Sequence, residues 1–190
     1  KGDAFYRKLQ LLEGMTIRDI FELGKSEGIV DDINGDLETL KSKLNINGQT
    51  EGLFFPDTFY YHKGELFSSL LKRSFDKQKT NYLDLWDSRQ KGLPYASFIE
   101  AITLASIIEK EGLEKKMIAG VFINRLRKNM KLQSDPTVIY ALGSKFDGNI
   151  KRSHLRIDNP YNTYKYKGLP PGPIGLVSPS SIKAALNPKR

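Results

Sequence analysis

Cysteine is absent from this chain, which excludes disulfides and thiolate chemistry and leaves the redox compartment open. Histidine is scarce. Only His62 and His154 occur, neither in an HxxxH or HExxH spacing, so no metal site is expected. No apolar run approaches the roughly 20 residues that span a bilayer, and the opening KGDAFYRK lacks the features of a secretory leader. There is no GxSxG elbow, and the glycines of GLPPGPIG are interleaved with prolines, which remove the N–H donors a phosphate-cradling loop needs. Neither an internal repeat nor a low-complexity tract is present.

What is present suffices for one globular domain. The 190 residues are 39% hydrophobic and 11% aromatic, enough for one sizeable core or a core with a small satellite. Thirty Lys and Arg against 22 Asp and Glu leave a formal charge of +8, a balance that favours acidic partners such as nucleic acid, anionic membrane surfaces or acidic polymers. The basic residues are spread along the chain and not gathered beside aromatic platforms, so a solvated surface accounts for them and nucleic acid is not an expected partner.

The segment ASFIEAITLASIIEKEG is the most informative. Ser97 with Glu100 three residues on is a capping-box signature, and Gly112 is a helix stop, so the spacing predicts a helix over Phe98–Glu111. Leu104, Ile107 and Ile108 form an apolar stripe whose next member is Glu111. Glu111 is thus expected toward the core side, and Glu109, about 200° around the helix, is expected to face elsewhere. A half-buried Glu resists ionisation and can act as a general acid near neutral pH. A carboxylate solvated at the end of a helix is the plain alternative.

Around it the pattern is mostly helical. Thr16 and Asp19 cap a helix that buries Ile17, Ile20 and Phe21 and ends at Gly28. Asp36 caps a shorter one with Leu37, Leu40 and Leu44 on one side. EGLFFPDTFYYHKG is rich in β-favouring residues but broken by Pro56, and reads as an extended loop or edge strand. A long helix follows from Glu65 to about Arg89, with a polar interruption around Asp76 to Thr80 where a break is one reading. From about Glu114 to Asn129 a further helix is expected to bury Met117, Ile118, Val121, Phe122 and Leu126. Asp135 is the expected N-cap of the next, with Pro136 at its first position and Gly143 as its stop. DNPYNTYKYKGLPPGPIGLVSPSS reads as a rigid irregular loop, and Ser178-Pro179 opens a last helix through Leu186. The expected fold class is α+β, mostly helical with a minor β component.

Gln133, Asp135, Tyr161, Asn162, Tyr164 and Tyr166 are of the types that hold sugars, because flat rings stack on sugar faces and amide or carboxylate groups bridge hydroxyls. Each has an ordinary alternative: a helix cap for Asp135, packing for the tyrosines. Phe54, Phe55, Phe59 and Tyr60 either line a groove or fill the core.

Several collinear segments together resemble the YceG-like family of endolytic murein transglycosylases: EGMTIRDI at 13–20, EGLFFPDTFYY at 51–61, LASIIEKE at 104–111, VFINRL at 121–126, LQSDPTVIYALG at 132–143, NPYNTYKYKGLPPGPI at 159–174 and SPSSIKAALNP at 178–188. The resemblance implies a bacterial, single-pass membrane-anchored enzyme with an extracytoplasmic catalytic domain that cuts within nascent peptidoglycan strands, with cell-wall synthases as partners and no cofactor. It implies that the second Glu of IIEKE, Glu111, is the catalytic acid, with Gln133, Asp135, Tyr161, Asn162 and Tyr164 positioning the sugar. It also implies that residues 1–30 are the end of a LysM-like region and the entry to a catalytic domain at 31–190, with the anchor, the rest of the LysM-like subdomain and C-terminal strands lying outside this chain. The expected reaction is cleavage of the β-1,4 bond between N-acetylmuramic acid and N-acetylglucosamine to give 1,6-anhydro ends. One carboxylate serves twice in that chemistry, whereas ordinary glycoside hydrolases need a pair. A peptidoglycan-binding module without catalysis and a true hydrolase are the alternatives.

Overall fold

The computed structural model describes residues 6–189. The first five residues of the expected LysM-like remnant lie outside the described residues. In chain order the elements are β1 (Arg7–Gln10), α1 (Ile17–Ser26), α2 (Leu37–Leu44), β2 (Thr58–Tyr61), α3 (Phe67–Asp87), α4 (Phe98–Glu111), α5 (Lys115–Arg127), α6 (Asp135–Leu142) and α7 (Pro179–Leu186), with short 3-10 turns at Gly143–Lys145 and His154–Arg156. β1 and β2 pair antiparallel, Arg7 opposite Tyr61 and Gln10 opposite Thr58, so the minor β component is a two-stranded ribbon. Among the described residues no helix is long and apolar enough to cross a membrane.

Two apolar cores result. The first gathers Leu9, Ile20, Ile33, Leu40, Phe54, Leu70 and Leu71 from the ribbon, α1, α2, the first half of α3 and the loops between them, so residues on both sides of position 30 share it. The second surrounds α4, whose residues Ala101 through Ile108 are all buried. A helix apolar all round needs neighbours on every side; here Phe122 and Ile123 of α5, Ile182 and Leu186 of α7, and Ile174 and Val177 of the preceding loop supply them. Each fully buried Leu or Ile stabilises by about 1.5–3 kcal/mol.

α3 does not break at Asp76–Thr80: it runs 21 residues without interruption. Most of the polar groups there find partners along the helix or across to neighbouring loops, although the buried Gln78 Oε1 has none. Gln78, wholly buried, reaches the Gly52 carbonyl at 3.4 Å, and Tyr82 donates to the same oxygen at 2.6 Å. Lys77 pairs with Asp57, and Asn81 donates to the Lys77 carbonyl at 2.9 Å. Gly52 has φ +76°, and a Cβ there would lie 2.8 Å from Pro173, so this junction of the two cores takes only glycine.

α5 buries Phe122 and packs Ile118 and Leu126 against the second core as expected, but leaves Met117 and Val121 outside. Met117 and Val121 are 53% and 54% exposed, while Ala119, Phe122 and Ile123 point inward. Gly120 explains the choice. With no side chain it lets the backbone at Lys189 pass against the helix, and Lys189 donates to the Lys116 carbonyl at 3.1 Å. α6 is capped one residue earlier than expected, by Ser134, which places Asp135 at its first position.

Candidate active site

The expected capping box starts α4: Ser97 accepts from the Glu100 N–H, and Glu100 accepts from the Ser97 N–H at 2.9 Å. At its other end, three consecutive residues leave the covered part of the helix about 100° apart and meet three different neighbours. Glu109 turns to the start of α7, accepting from the Ser178 N–H at 2.8 Å and from the Ser178 hydroxyl at 2.5 Å, and pairs with Lys115 at 2.6 Å. Lys110 turns toward the loop before α1, beside Gly14. Glu111 turns to the start of α6, where its Oε1 accepts from Ser134 Oγ at 2.5 Å.

The two carboxylates therefore differ in kind. Glu109, its side chain only 9% exposed, is the buried one; burial pushes its pKa up, but Lys115 and the Ser178 hydrogen bonds outweigh this and hold it below the ordinary value. Glu111 is exposed, contrary to its expected position on the core side. The covering of α4 ends at Ile108, and the last turn projects past it. What reaches Glu111 is a fixed hydroxyl on one side and open space on the other, an arrangement suited to a group that must meet a substrate.

Ser134 is itself wholly buried and held from three directions. Its N–H donates to Thr163 Oγ1 at 3.0 Å, its carbonyl accepts from Thr137 Oγ1 at 2.7 Å, and the Thr137 and Thr163 hydroxyls meet at 2.8 Å. The preceding Gln133 N–H donates to the Thr163 carbonyl at 3.1 Å. Gln133 takes a left-handed φ of +55°, uncommon for a side-chain-bearing residue. Its neighbours Leu132 and Ser134 are buried while Gln133 stays exposed. Arg125 pins this turn, donating to the Leu132 carbonyl at 2.6 Å and to Gln133 Oε1 at 3.2 Å.

Tyr164 closes the group by donating to Asp135 Oδ1 at 2.5 Å. Burial, the hydrogen bond to Asp135 and the charges of Asp135 and Glu111 push its phenol up to about 12, so it remains a donor at neutral pH. Glu111, Gln133, Asp135 and Tyr164 thus come together at the junction of α4, α6 and the loop at 159–168. Tyr161 stands on the far flank, half-buried, its ring 4.8 Å from Tyr140. Asn162 is a correction. It is wholly buried, its amide nitrogen donating to the Leu155 and Ile157 carbonyls at 3.2 and 2.9 Å and its side-chain oxygen accepting from the Tyr164 N–H at 3.0 Å. It shapes the loop that presents Tyr164 and does not face the opening. Tyr166 is exposed and bonded to Asp158.

Sequence reasoning missed the parts played by Ser134, Thr163 and Arg125. Ser134 carried a signal, since Ser is as good an N-cap as the Asp beside it; the others are ordinary residue types outside any periodic pattern.

The family model described as the YceG-like family matches residues 1–190. The chain belongs to the YceG-like family. Similar proteins include the endolytic murein transglycosylase of Bacillus subtilis (strain 168), 41% identical over 149 residues that make up 77% of this chain and 41% of the relative. The endolytic murein transglycosylase of Streptococcus pneumoniae serotype 2 is 36% identical over 148 residues, 72% of this chain and 26% of the relative. The chain therefore spans well under half the length of these relatives. A crystal structure of a yceG-like protein from Listeria monocytogenes is similar with a TM-score of 0.75 and 32% identity, covering 96% of this chain and 67% of that one. Among YceG-like chains, then, this one places its IIEKE segment at the end of a central helix, with one carboxylate anchored and the next open.

Proposed function

We propose that this chain carries the catalytic centre of an endolytic peptidoglycan lytic transglycosylase and that Glu111 is its acid and base. The observation that carries the reading is Glu111 itself, a solvent-reachable carboxylate fixed by a buried hydroxyl and ringed by Gln133, Asp135 and Tyr164. The names of the Bacillus and Streptococcus relatives support the substrate class.

In the reaction, protonated Glu111 gives its proton to the glycosidic oxygen as the bond from C1 of N-acetylmuramic acid to O4 of N-acetylglucosamine breaks. The carboxylate so formed takes the proton of the muramoyl C6 hydroxyl as that oxygen bonds to C1. The product is a 1,6-anhydro end, no water is consumed, and Glu111 returns to its starting form. Ser134 orients the carboxyl through its hydrogen bond to Glu111 Oε1. Gln133, Asp135 and Tyr164 orient the sugar and support the developing positive charge, an effect of preorganised dipoles. Tyr161 extends the aromatic surface on the flank.

The whole protein is read as extracytoplasmic and held to the bacterial membrane by a segment outside these 190 residues, with residues 1–30 ending a LysM-like region and 31–190 forming the catalytic domain; cell-wall synthases are its proposed partners. The test is mass spectrometry of un-crosslinked glycan strands incubated with the protein, with Glu111→Gln and with Glu109→Gln. Anhydro ends that disappear only with Glu111→Gln support the reading. Products heavier by one water identify a hydrolase and overturn the lyase chemistry, and binding without any product identifies a binding module.

A further inference from the structure

Beside the Glu111 site lies a cleft of about 730 Å³, lined by Arg18, Glu51, Lys110, Pro136, Ile139 and Tyr140 among others. That volume falls in the range of roughly 300–1,000 Å³ typical of small-ligand sites. It shares α4 and α6 with the Glu111 site and adds residues 16–19 at the start of α1 and Glu51. Lys110 precedes Glu111 on α4, and Pro136 follows Asp135 on α6. Tyr140 packs its ring against Tyr161, three residues before Tyr164.

Its walls divide by chemistry. Pro136, Ile139 and the Tyr140 ring give a half-buried apolar and aromatic side, the kind of surface on which sugar C–H faces pack. The acidic groups are already committed. Asp19 accepts from the Thr16 N–H at 2.7 Å and the Thr16 hydroxyl at 2.8 Å, and Glu51 accepts from the Ile17 N–H at 3.0 Å and from Tyr140 at 3.1 Å. Glu51 is 5% exposed, and burial raises its pKa to about 7, so its negative charge is reduced at neutral pH. Arg18 and Lys110, both exposed, make no ion pair among the described residues. Arg18 and Lys110 are thus the cleft's two cations without a direct ion-pair partner, Lys110 lying within the field of Asp19 and Glu51.

We infer that this cleft is a second recognition stretch for the same glycan strand, taking the sugars beside the cleaved bond, with Arg18 and Lys110 meeting a carboxylate carried by the strand. The inference rests on the proposed function. The carboxylate has two sources, the lactyl group of an unsubstituted muramoyl sugar and the stem peptide of a substituted one. Tyr140 forms the sugar wall, and Glu51 holds it in place.

The experiment is titration calorimetry on Glu111→Gln, which removes turnover, with and without Arg18→Met and Lys110→Met. The probes are peptide-free muramoyl-containing octasaccharide, the same strand with stem peptides, and a neutral N-acetylglucosamine octamer. Losing charged hydrogen bonds is expected to weaken the acidic strands about tenfold or more and to leave the neutral octamer within about twofold. A loss confined to the peptide-free or to the peptide-bearing strand supports the cleft and names the carboxylate. Equal weakening of all three probes, or of none, overturns it. Cleavage by the unsubstituted protein is followed in parallel, so anhydro ends with unchanged binding sink the cleft alone, whereas neither cleavage nor binding sinks the proposed function with it. Arg18→Met alone, at an exposed position, carries the same selectivity test should the double variant lose its fold.

Discussion

Ser134 occupies the N-cap position of α6 and yet donates its hydroxyl to Glu111, 2.5 Å away, and not to its own helix. The helix start gives up a capping bond and a carboxylate on another helix gains a fixed donor. Because that hydroxyl caps nothing, Ser134→Ala is expected to change stability by no more than about 1 kcal/mol. A charge-assisted bond to the reacting group is worth about 1.5–3 kcal/mol, so the cleavage rate is expected to fall about ten- to a hundredfold. Rate and melting temperature measured on one preparation check both halves; a large loss of stability with an unchanged rate would show the hydroxyl to be structural.

Glu109 and Glu111 are expected to separate cleanly. Glu109→Gln leaves Lys115 beside a neutral partner in a mostly buried pair and is expected to destabilise by about 2–3 kcal/mol, below the full cost of breaking a buried ion pair because Gln keeps an acceptor for Ser178. Since Glu109 has a lowered pKa in the folded state, the stability it contributes is present above the unfolded carboxylate pKa and is lost as pH falls through the folded one. The variant should therefore differ most from the parent above about pH 4.5. Glu111→Gln should keep the parent's melting temperature and lose about 10²–10⁴ in rate. Denaturant unfolding at several pH values, beside the product assay, distinguishes the two.

The contrast shows where sequence patterns carry information. α4 was legible because its capping box, apolar spacing and terminal glycine agree. The exposure of Glu111 was not, since the stripe says which side of the helix a residue shares but not where the neighbouring elements stop covering it. Ser134 and Asp135 are adjacent and equally good caps, and the bond that the Ser134 N–H gives to the distant Thr163, beside the local one from Thr137, decides between them. The inward face of α5 was decided by Gly120 and the backbone at Lys189, a contact across some seventy positions of chain. Asn162 is an amide in a loop, and whether it bonds sugar or backbone depends on how that loop folds back.

Asp135 and Tyr164 should act as a unit. Tyr164→Phe removes the donor to Asp135 and leaves the carboxylate without its partner, and Asp135→Asn replaces the acceptor. Each is expected to lower kcat/KM about tenfold, and the double variant to lose little more than either alone. A double-mutant cycle on cleavage kinetics measures this coupling; additive losses would mean that the two side chains contact the strand independently.

Glu51 should make stability fall as pH rises. Its carboxyl sits in the wall of the cleft, where burial raises its pKa from 4.5 to about 7, against the hydrogen bonds from Tyr140 and the Ile17 N–H and the charge of Lys110, with Asp19 pushing it further up. Below 4.5 both folded and unfolded chains are protonated and the fold keeps its full stability. Between 4.5 and 7 the unfolded chain ionises while the folded one resists, so stability declines and then levels off. A difference of that size corresponds to about 3 kcal/mol. Glu51→Gln has nothing to titrate, and its unfolding free energy is expected to be flatter over this window, approaching the parent from below at acid pH and matching or exceeding it near pH 8. Tyr140→Phe, which removes a bond favouring the ionised form, is expected to move the decline to higher pH. Urea unfolding of the three proteins from pH 4 to 8 measures the slopes directly, and parallel curves for parent and Glu51→Gln would show that Glu51 ionises in the fold as freely as in the open chain.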